Sequence, residues 1–140
     1  MEELFDRPYR VIDILPERVP EEGAARYAAL ERFWLAEERQ RELRMRFAHV
    51  LMKLNCYAAL RIMPPDESRD WIDADPETLP ALLTDPKTDW LIHAEAENCL
   101  ITLNRDDTCM TVYDPSERIA RLIGALAASE GLFLRPPPEG

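Results

Sequence analysis

Residues 89–113 read DWLIHAEAENCLITLNRDDTCMTVY. Apolar and polar side chains alternate with a period of two over 89–96, 99–103 and 108–113, as they do along β-strands. Turn-forming residues, with Asn, Asp and Glu among them, separate these three segments. The stretch therefore predicts three antiparallel strands joined as a meander.

The alternation also predicts which residues pair. A two-residue turn at 97–98 pairs Ala94 with Ile101, and a turn around 105–106 pairs Ile101 with Met110. A slip of one residue would exchange the two faces of every strand, so the apolar pattern limits the register. The face predicted to lie on the core consists of Ile92, Ala94, Ala96, Cys99, Ile101, Leu103, Met110 and Val112.

The last predicted helix opens with a capping sequence. Asp114 is placed as the N-cap, Pro115 at the first helical position, and Glu117 completes a capping box. Gly131 is placed as the C-terminal stop. The apolar stripe between them consists of Ile119, Leu122, Ile123 and Leu126.

Strands and helices are also predicted before and after the meander in the sequence. The order β-α-α-β-(α)-β-β-β-α-β predicts one α+β domain over residues 1–140, in which helices pack on one face of a mainly antiparallel sheet. The further predicted elements are a strand at 9–15, helices at about 21–35 and 37–57, a strand at 58–63, a short helix with Leu79, Leu82 and Leu83, and an edge strand at 132–135.

Charge is distributed unevenly along the sequence. The net charge is −10, and residues 61–114 hold 4 Lys/Arg against 13 Asp/Glu, a difference of −9. A folded acidic face of this kind repels nucleic acid and membrane surfaces and attracts basic proteins. No apolar run approaches the ~20 residues of a membrane span. The three cysteines and the Met-Glu-Glu start favour a cytoplasmic protein with reduced thiols.

The most acidic stretch, residues 66–77, contains a tryptophan, and an aromatic ring among carboxylates is a good anchor for a basic protein partner. The alternative interpretation makes Trp71 a core residue of a short helix. An EF-hand is excluded because Thr78 and Thr84 occupy the positions that need Gly and Glu. The residues predicted to bind a partner are Asp66, Glu67, Asp70, Trp71, Asp73 and Asp75.

The helix predicted at 37–57 carries a second set of side chains opposite its Leu/Phe stripe. Met45, His49, Met52 and Cys56 follow one another at helical spacing. Soft ligands of these types suit Cu(I), but the four span ~16 Å of one helix and cannot reach one ion. We therefore predict no metal, and interpret this face as buried or as a homo-dimer contact.

The opposite face of the meander suggests a thiol site. The predicted register sets His93 beside Thr102, Thr102 beside Cys109, and Glu95 one step from His93. An imidazole oriented by a carboxylate can activate a thiol, but two strand spacings, roughly 10 Å, separate His93 from Cys109. Cys99 and Cys109 fall on opposite faces, which excludes a disulfide between them.

Three hypotheses about function follow. The first is a non-enzymatic binding or regulatory module, such as an immunity protein or other inhibitor of a nuclease, which uses its acidic surface against a basic protein. The second is a homo-oligomeric structural protein joined through the second face of the 37–57 helix. The third is a small enzyme with a thiol site or paired acids. The sequence holds no phosphate-binding loop, nucleophile elbow or zinc motif, so no cofactor is predicted and the first hypothesis is favoured.

Overall fold

The computed structural model describes residues 2–65 and 71–136. Within these ranges the strands are β1 (Tyr9–Asp13), β2 (Leu60–Met63), β3 (Ile72–Asp73), β4 (Trp90–Ala94), β5 (Cys99–Leu103), β6 (Cys109–Tyr113) and β7 (Phe133–Arg135). The α-helices are α1 (Ala24–Leu35), α2 (Glu37–Leu54), α3 (Leu79–Leu83) and α4 (Glu117–Ser129). Short 3₁₀ turns lie at Glu2–Asp6, Glu21–Gly23 and Glu95–Glu97.

The strands form one antiparallel sheet in the order β3-β2-β4-β5-β6-β1-β7. The predicted meander, β4-β5-β6, lies at its centre. β1 pairs with β6 and β7, so Val11 lies opposite Arg135. With α2 and α4 packed on one face, the predicted α+β class is confirmed.

The core lies between the sheet and these two helices. Phe47 and Leu51 of α2 and Ile119 and Ile123 of α4 are at most 2% exposed, and they pack against the apolar face of the meander. Burial of one such side chain contributes about 1.5–3 kcal/mol relative to exposure. The apolar stripes of the two helices and the apolar faces of the strands are therefore buried against each other in one layer.

The register differs from the prediction by two residues in both hairpins. Ala94 pairs with Cys99, and Ile101 pairs with Val112. The first connection is longer than expected because a 3₁₀ turn precedes Asn98, whose φ of 48° is left-handed. A two-residue shift leaves every strand face unchanged. The predicted core face is buried accordingly, except for Ala96, which lies exposed in the connection.

The opposite face of the sheet carries a smaller apolar cluster. Leu4, from the 3₁₀ turn at Glu2–Asp6, packs with Leu91 and Leu100, and Met63, Trp71 and Tyr113 surround them. This face is therefore partly covered by apolar side chains.

The predicted N-cap of α4 is wrong, and its predicted C-terminal stop is right. Asp114 is not the N-cap, because Ser116 accepts a hydrogen bond from the Ile119 N–H at 3.1 Å and Asp114 has a φ of 56°. Gly131 has a φ of 75°, and its N–H and that of Leu132 close a Schellman motif on α4. The glycine stop is confirmed.

Other boundaries move by a few residues for local reasons. β1 ends at Asp13, whose side chain accepts from the Ile14 N–H at 2.6 Å and draws that backbone out of the ladder. α2 ends at Leu54, and the following Asn55 accepts from the Leu60 N–H, which fixes the turn into β2. β3 was not predicted.

Candidate functional site

The β3 end of the sheet collects exposed carboxylates around an exposed apolar side chain. β3 forms one edge of the sheet, and its residue Ile72 is 53% exposed. We call this surface the acidic edge and define it by Ile72, Asp73, Asp75, Glu77 and Glu95, all of which are exposed.

The predicted partner-binding residues divide into two groups. Trp71, Asp73 and Asp75 are at the acidic edge or next to it, whereas Asp66, Glu67 and Asp70 lie outside the described residues. The partner-binding hypothesis therefore rests here on the second half of the acidic stretch.

Trp71 already has a cation and an aromatic ring as neighbours within the chain. It immediately precedes β3, outside any helix, which corrects the alternative interpretation as part of a short helix. Its ring centroid lies 5.5 Å from that of His93, and the Arg61 guanidinium carbon lies 5.1 Å from the Trp71 centroid. The cation–π position expected for a partner is occupied by Arg61 of the same chain.

Asp73 and Glu95 line a shallow cleft of about 310 Å³ together with Arg61. Within the part of the chain that the structure describes, Asp73 makes no side-chain hydrogen bond or ion pair, and Glu95 approaches only Arg61, at 4.0 Å. Both carboxylates can therefore receive a cationic group from outside. The volume of the cleft is large enough for the end of a lysine or arginine side chain.

Asp75 has a different role from Asp73. Its Oδ1 accepts from the Glu77 N–H at 3.1 Å, and its carbonyl accepts from Thr78, so it builds the turn that leads to α3. Asn can form the same kind of turn. Of the two predicted acids that the structure describes, Asp73 is thus the one whose carboxylate accepts no hydrogen bond from another described residue.

His93 is held by neighbours and is poorly placed as a base. Arg61 Nε donates to its Nδ1 at 3.1 Å, and its Nε2 lies 3.3 Å from Asn98 Oδ1. Burial lowers the pKa of His93, and the Arg61 charge lowers it further against the opposing hydrogen bond to Asn98. The ring is therefore neutral and positions Arg61 and Trp71.

The structure does not bring His93 and Cys109 together. His93 pairs with Leu100 and not with Thr102, which lies instead opposite Leu91 and Thr111, and Cys109 lies opposite Asp13. The predicted row of side chains is wrong because of the two-residue shift in both hairpins. Burial raises the pKa of Cys109 to about 12, with Asp107 adding to the effect, so its thiol is not activated.

The predicted second face of α2 is partly used inside the molecule. Met52 packs against the core, and His49 Nδ1 lies 2.9 Å from the Glu130 carboxylate. Met45 and Cys56 are exposed. No group of three or more His, Cys, Asp or Glu able to hold a metal occurs among residues 2–65 and 71–136.

Ile72 of the acidic edge and its neighbour Arg61 were not among the residues predicted to bind a partner. Ile72 and Arg61 belong to short alternating segments, Trp71-Ile72-Asp73-Ala74 and Leu60–Met63. The alternation Trp-Ile-Asp-Ala carries the signal for β3, but two residues of strand are too few to stand out from a loop.

Comparisons with family models, with curated proteins and with solved structures found no match to this chain. In the described ranges, no helix combines the length and apolar character that crossing a membrane requires.

Proposed function

We propose that this chain is a non-enzymatic protein-binding module whose acidic edge receives a basic, extended segment of a partner protein. An inhibitor or immunity protein that covers a basic enzyme such as a nuclease would act in this way. The observation that carries the proposal is the exposed Ile72 on an end strand, beside the open carboxylate of Asp73. A cytoplasmic location belongs to the same proposal.

The strand edge supplies the geometry. An extended segment can add to an end strand through main-chain hydrogen bonds, while its alternate side chains point to opposite faces. Ile72 pairs with the buried Ile62, and Asp73 pairs with Arg61, so the two edge residues face opposite sides of the sheet. The partner segment would place apolar side chains against Ile72 and basic ones against Asp73 and Glu95.

The charges supply orientation and speed. An exposed ion pair contributes only about 0–1 kcal/mol, but a concentrated negative field raises the association rate of a basic protein. Affinity would come from the strand pairing and from burial of Ile72. The carboxylates of the acidic edge would thus steer the basic partner toward the site, and the contact with Ile72 would stabilise the complex.

The alternatives draw less support from the geometry. The thiol enzyme would need Cys109, whose pKa is raised to about 12, to react without His93. The homo-dimer would have to form on a face of α2 where His49 is engaged with Glu130.

The test is a pull-down from native lysate with three tagged baits, read by mass spectrometry and eluted with a salt gradient. The edge bait carries Ile72→Ser, Asp73→Asn and Glu95→Gln. The control bait carries Glu37→Gln and Glu38→Gln, which remove the same charge from exposed positions on α2.

We expect one basic partner to bind the unmodified and control baits, to elute with salt, and to be lost from the edge bait. Recovery of the bait alone would contradict the proposal. Equal capture by the edge bait would contradict it as well, because the partner would then bind elsewhere.

A further inference from the structure

A groove separates α1 from the irregular segment 14–20. It consists of two adjoining clefts of about 270 and 300 Å³, which share Leu15, Val19, Pro20 and Tyr27. We call it the α1 groove. It is lined by different residues from the acidic edge and is independent of the proposed function.

The groove exists because α1 is loosely attached. None of the twelve residues of α1 is buried, although the helix contacts α2. Gly23 precedes the helix, and a Cβ at this position would lie 2.9 Å from Val19 Cγ1. Glycine therefore lets segment 14–20 cross closely over the start of α1 while the groove stays open beyond it.

One end of the groove has a polar floor in which Asp13 and Arg135 satisfy each other, and the exposed residues Glu17, Arg18 and Glu21 also line this end. Arg135 Nε donates to Asp13 Oδ2 at 3.0 Å, Nη2 of the same guanidinium also donates to that oxygen, and Asp13 Oδ1 accepts from the Ile14 N–H. The Tyr27 side chain interacts with that of Thr108 and lines both clefts. A ligand need not satisfy these buried groups.

The other cleft is apolar except for one positive charge. Leu15, Val19, Pro20 and Leu30 contribute aliphatic surface, and Arg26 is the only charged residue among the described residues that line this cleft. Arg26 is exposed and makes no hydrogen bond or ion pair with any other described residue. In a chain with a net charge of −10, an unpaired arginine beside an apolar cleft complements one negative group on an apolar body.

We propose that the α1 groove binds a small amphiphile with an apolar body and a single carboxylate. The apolar body lies against Val19, Tyr27 and Leu30, and the carboxylate pairs with Arg26. A medium-chain aliphatic acid or an aromatic acid has this chemistry. The open mouth of the groove leaves the carboxylate in contact with water, so the apolar contacts supply most of the affinity.

The experiment measures the dissociation constants of decanoate, decanol and decyltrimethylammonium by NMR titration of the full chain, with the two ionic probes below their micelle concentrations and decanol below its solubility limit. Variants Arg26→Gln and Leu30→Ser are compared with Arg32→Gln. Arg32 is exposed on the same helix but is not among the lining residues. Preserved spectra away from α1 report that each variant is folded.

We expect decanoate to bind more tightly than the neutral and cationic probes, with shifts centred on Tyr27 and Leu30. Arg26→Gln should weaken decanoate up to about fivefold and leave decanol unchanged. Leu30→Ser should weaken both, and Arg32→Gln neither. Absence of binding, or binding that neither groove variant alters, would overturn the site. An equal effect of Arg26→Gln on decanoate and decanol would overturn the assignment of the charge.

Discussion

The two edges of the sheet are built in opposite ways. At β7, Arg135 is paired with Asp13, Leu134 packs against the core, and Pro136 follows the strand. At β3, Asp73 has no ion pair within the described ranges and Ile72 is more than half exposed. Exposed strand edges invite pairing with other chains, and proline and charge protect them.

The difference shows where charge serves the fold and where it is available to a partner. The β7 edge uses its charges internally, because the exposed apolar residue there, Phe133, pairs with Asp13, whose carboxylate is bound by Arg135. The β3 edge keeps its carboxylates on the surface. Substitutions at the β7 edge should therefore affect stability, and substitutions at the β3 edge should affect the binding of a partner.

The largest effect is expected from breaking the ion pair at the β7 edge. Asp13→Ala should lower the free energy of unfolding by about 3–5 kcal/mol, because it leaves the charge of Arg135, whose side chain is only 13% exposed, without its carboxylate partner. Asp73→Ala should change it by less than about 0.5 kcal/mol. Urea denaturation measures both. Equal effects of the two substitutions would abolish the contrast between the edges.

The next effect concerns a buried arginine that supports the β3 side. Arg44 Nε donates to the Leu83 carbonyl and Nη2 to the Thr88 carbonyl, each at 2.7 Å, which ties α3 and the segment before β4 to α2. Arg44→Met should cost about 2–3 kcal/mol, since two carbonyls lose a charged donor. Arg41→Met, at an exposed position on the same helix, is the control.

Burial lowers the pKa of Arg44 despite the nearby carboxylates of Asp85 and Asp89. Urea denaturation measures the loss in free energy of unfolding for both variants. If Arg44→Met costs no more than Arg41→Met, the hydrogen bonds of Arg44 only offset the free-energy cost of burying its charge.

A smaller, pH-dependent effect is expected just before β7. Burial alone would raise the pKa of Glu130, but hydrogen bonds from Lys53 and His49 outweigh it and lower the pKa below the ordinary value of 4.5. The unfolded chain then binds the proton more readily than the folded protein. This contribution to stability is present above about pH 4.5 and is lost as the pH falls through the folded pKa.

Glu130→Gln should accordingly reduce the acid sensitivity of the protein, with a loss of about 1 kcal/mol near neutral pH. Thermal unfolding between about pH 7 and about pH 3 measures this difference. An unchanged pH profile would mean that the lowered pKa does not contribute to stability.

The smallest effects on stability are expected from the exposed apolar residues of the two edges. Ile72→Ser and Phe133→Ser should each cost less than about 1 kcal/mol in urea, since both side chains are 40% exposed or more. The two should differ in capture of the partner, which Ile72→Ser weakens and Phe133→Ser leaves unchanged. Equal loss of capture would place the binding surface elsewhere.

The central layer of the fold follows from local patterns in the sequence. The period-two stretch around Ile101 and the helical stripes of α2 and α4 each specify a buried face, and a two-residue error in register leaves those faces intact. The register itself depends on how Asn98 enters a left-handed conformation, which a simple turn template does not include.

The candidate site was less accessible to prediction. An acidic stretch can be recognised from composition, but composition does not distinguish the open Asp73 from Asp75, which forms a turn with Glu77. Arg61 and Trp71 lie ten positions apart in the sequence, so the contact of Arg61 with the ring is visible only in three dimensions. The α1 groove depends on the path of segment 14–20, for which the sequence has no periodic signal.

The position of β1 between β6 and β7 has a consequence for synthesis on the ribosome. The contact between Asp13 and Arg135 joins residues 122 positions apart. Until β6 and β7 emerge, both edges of β1 lack their partners, and long-range pairing of this kind is slow to form. During translation the nascent chain therefore carries a β-branched strand in need of protection, and a pause before residue 109 would prolong the period in which it can aggregate.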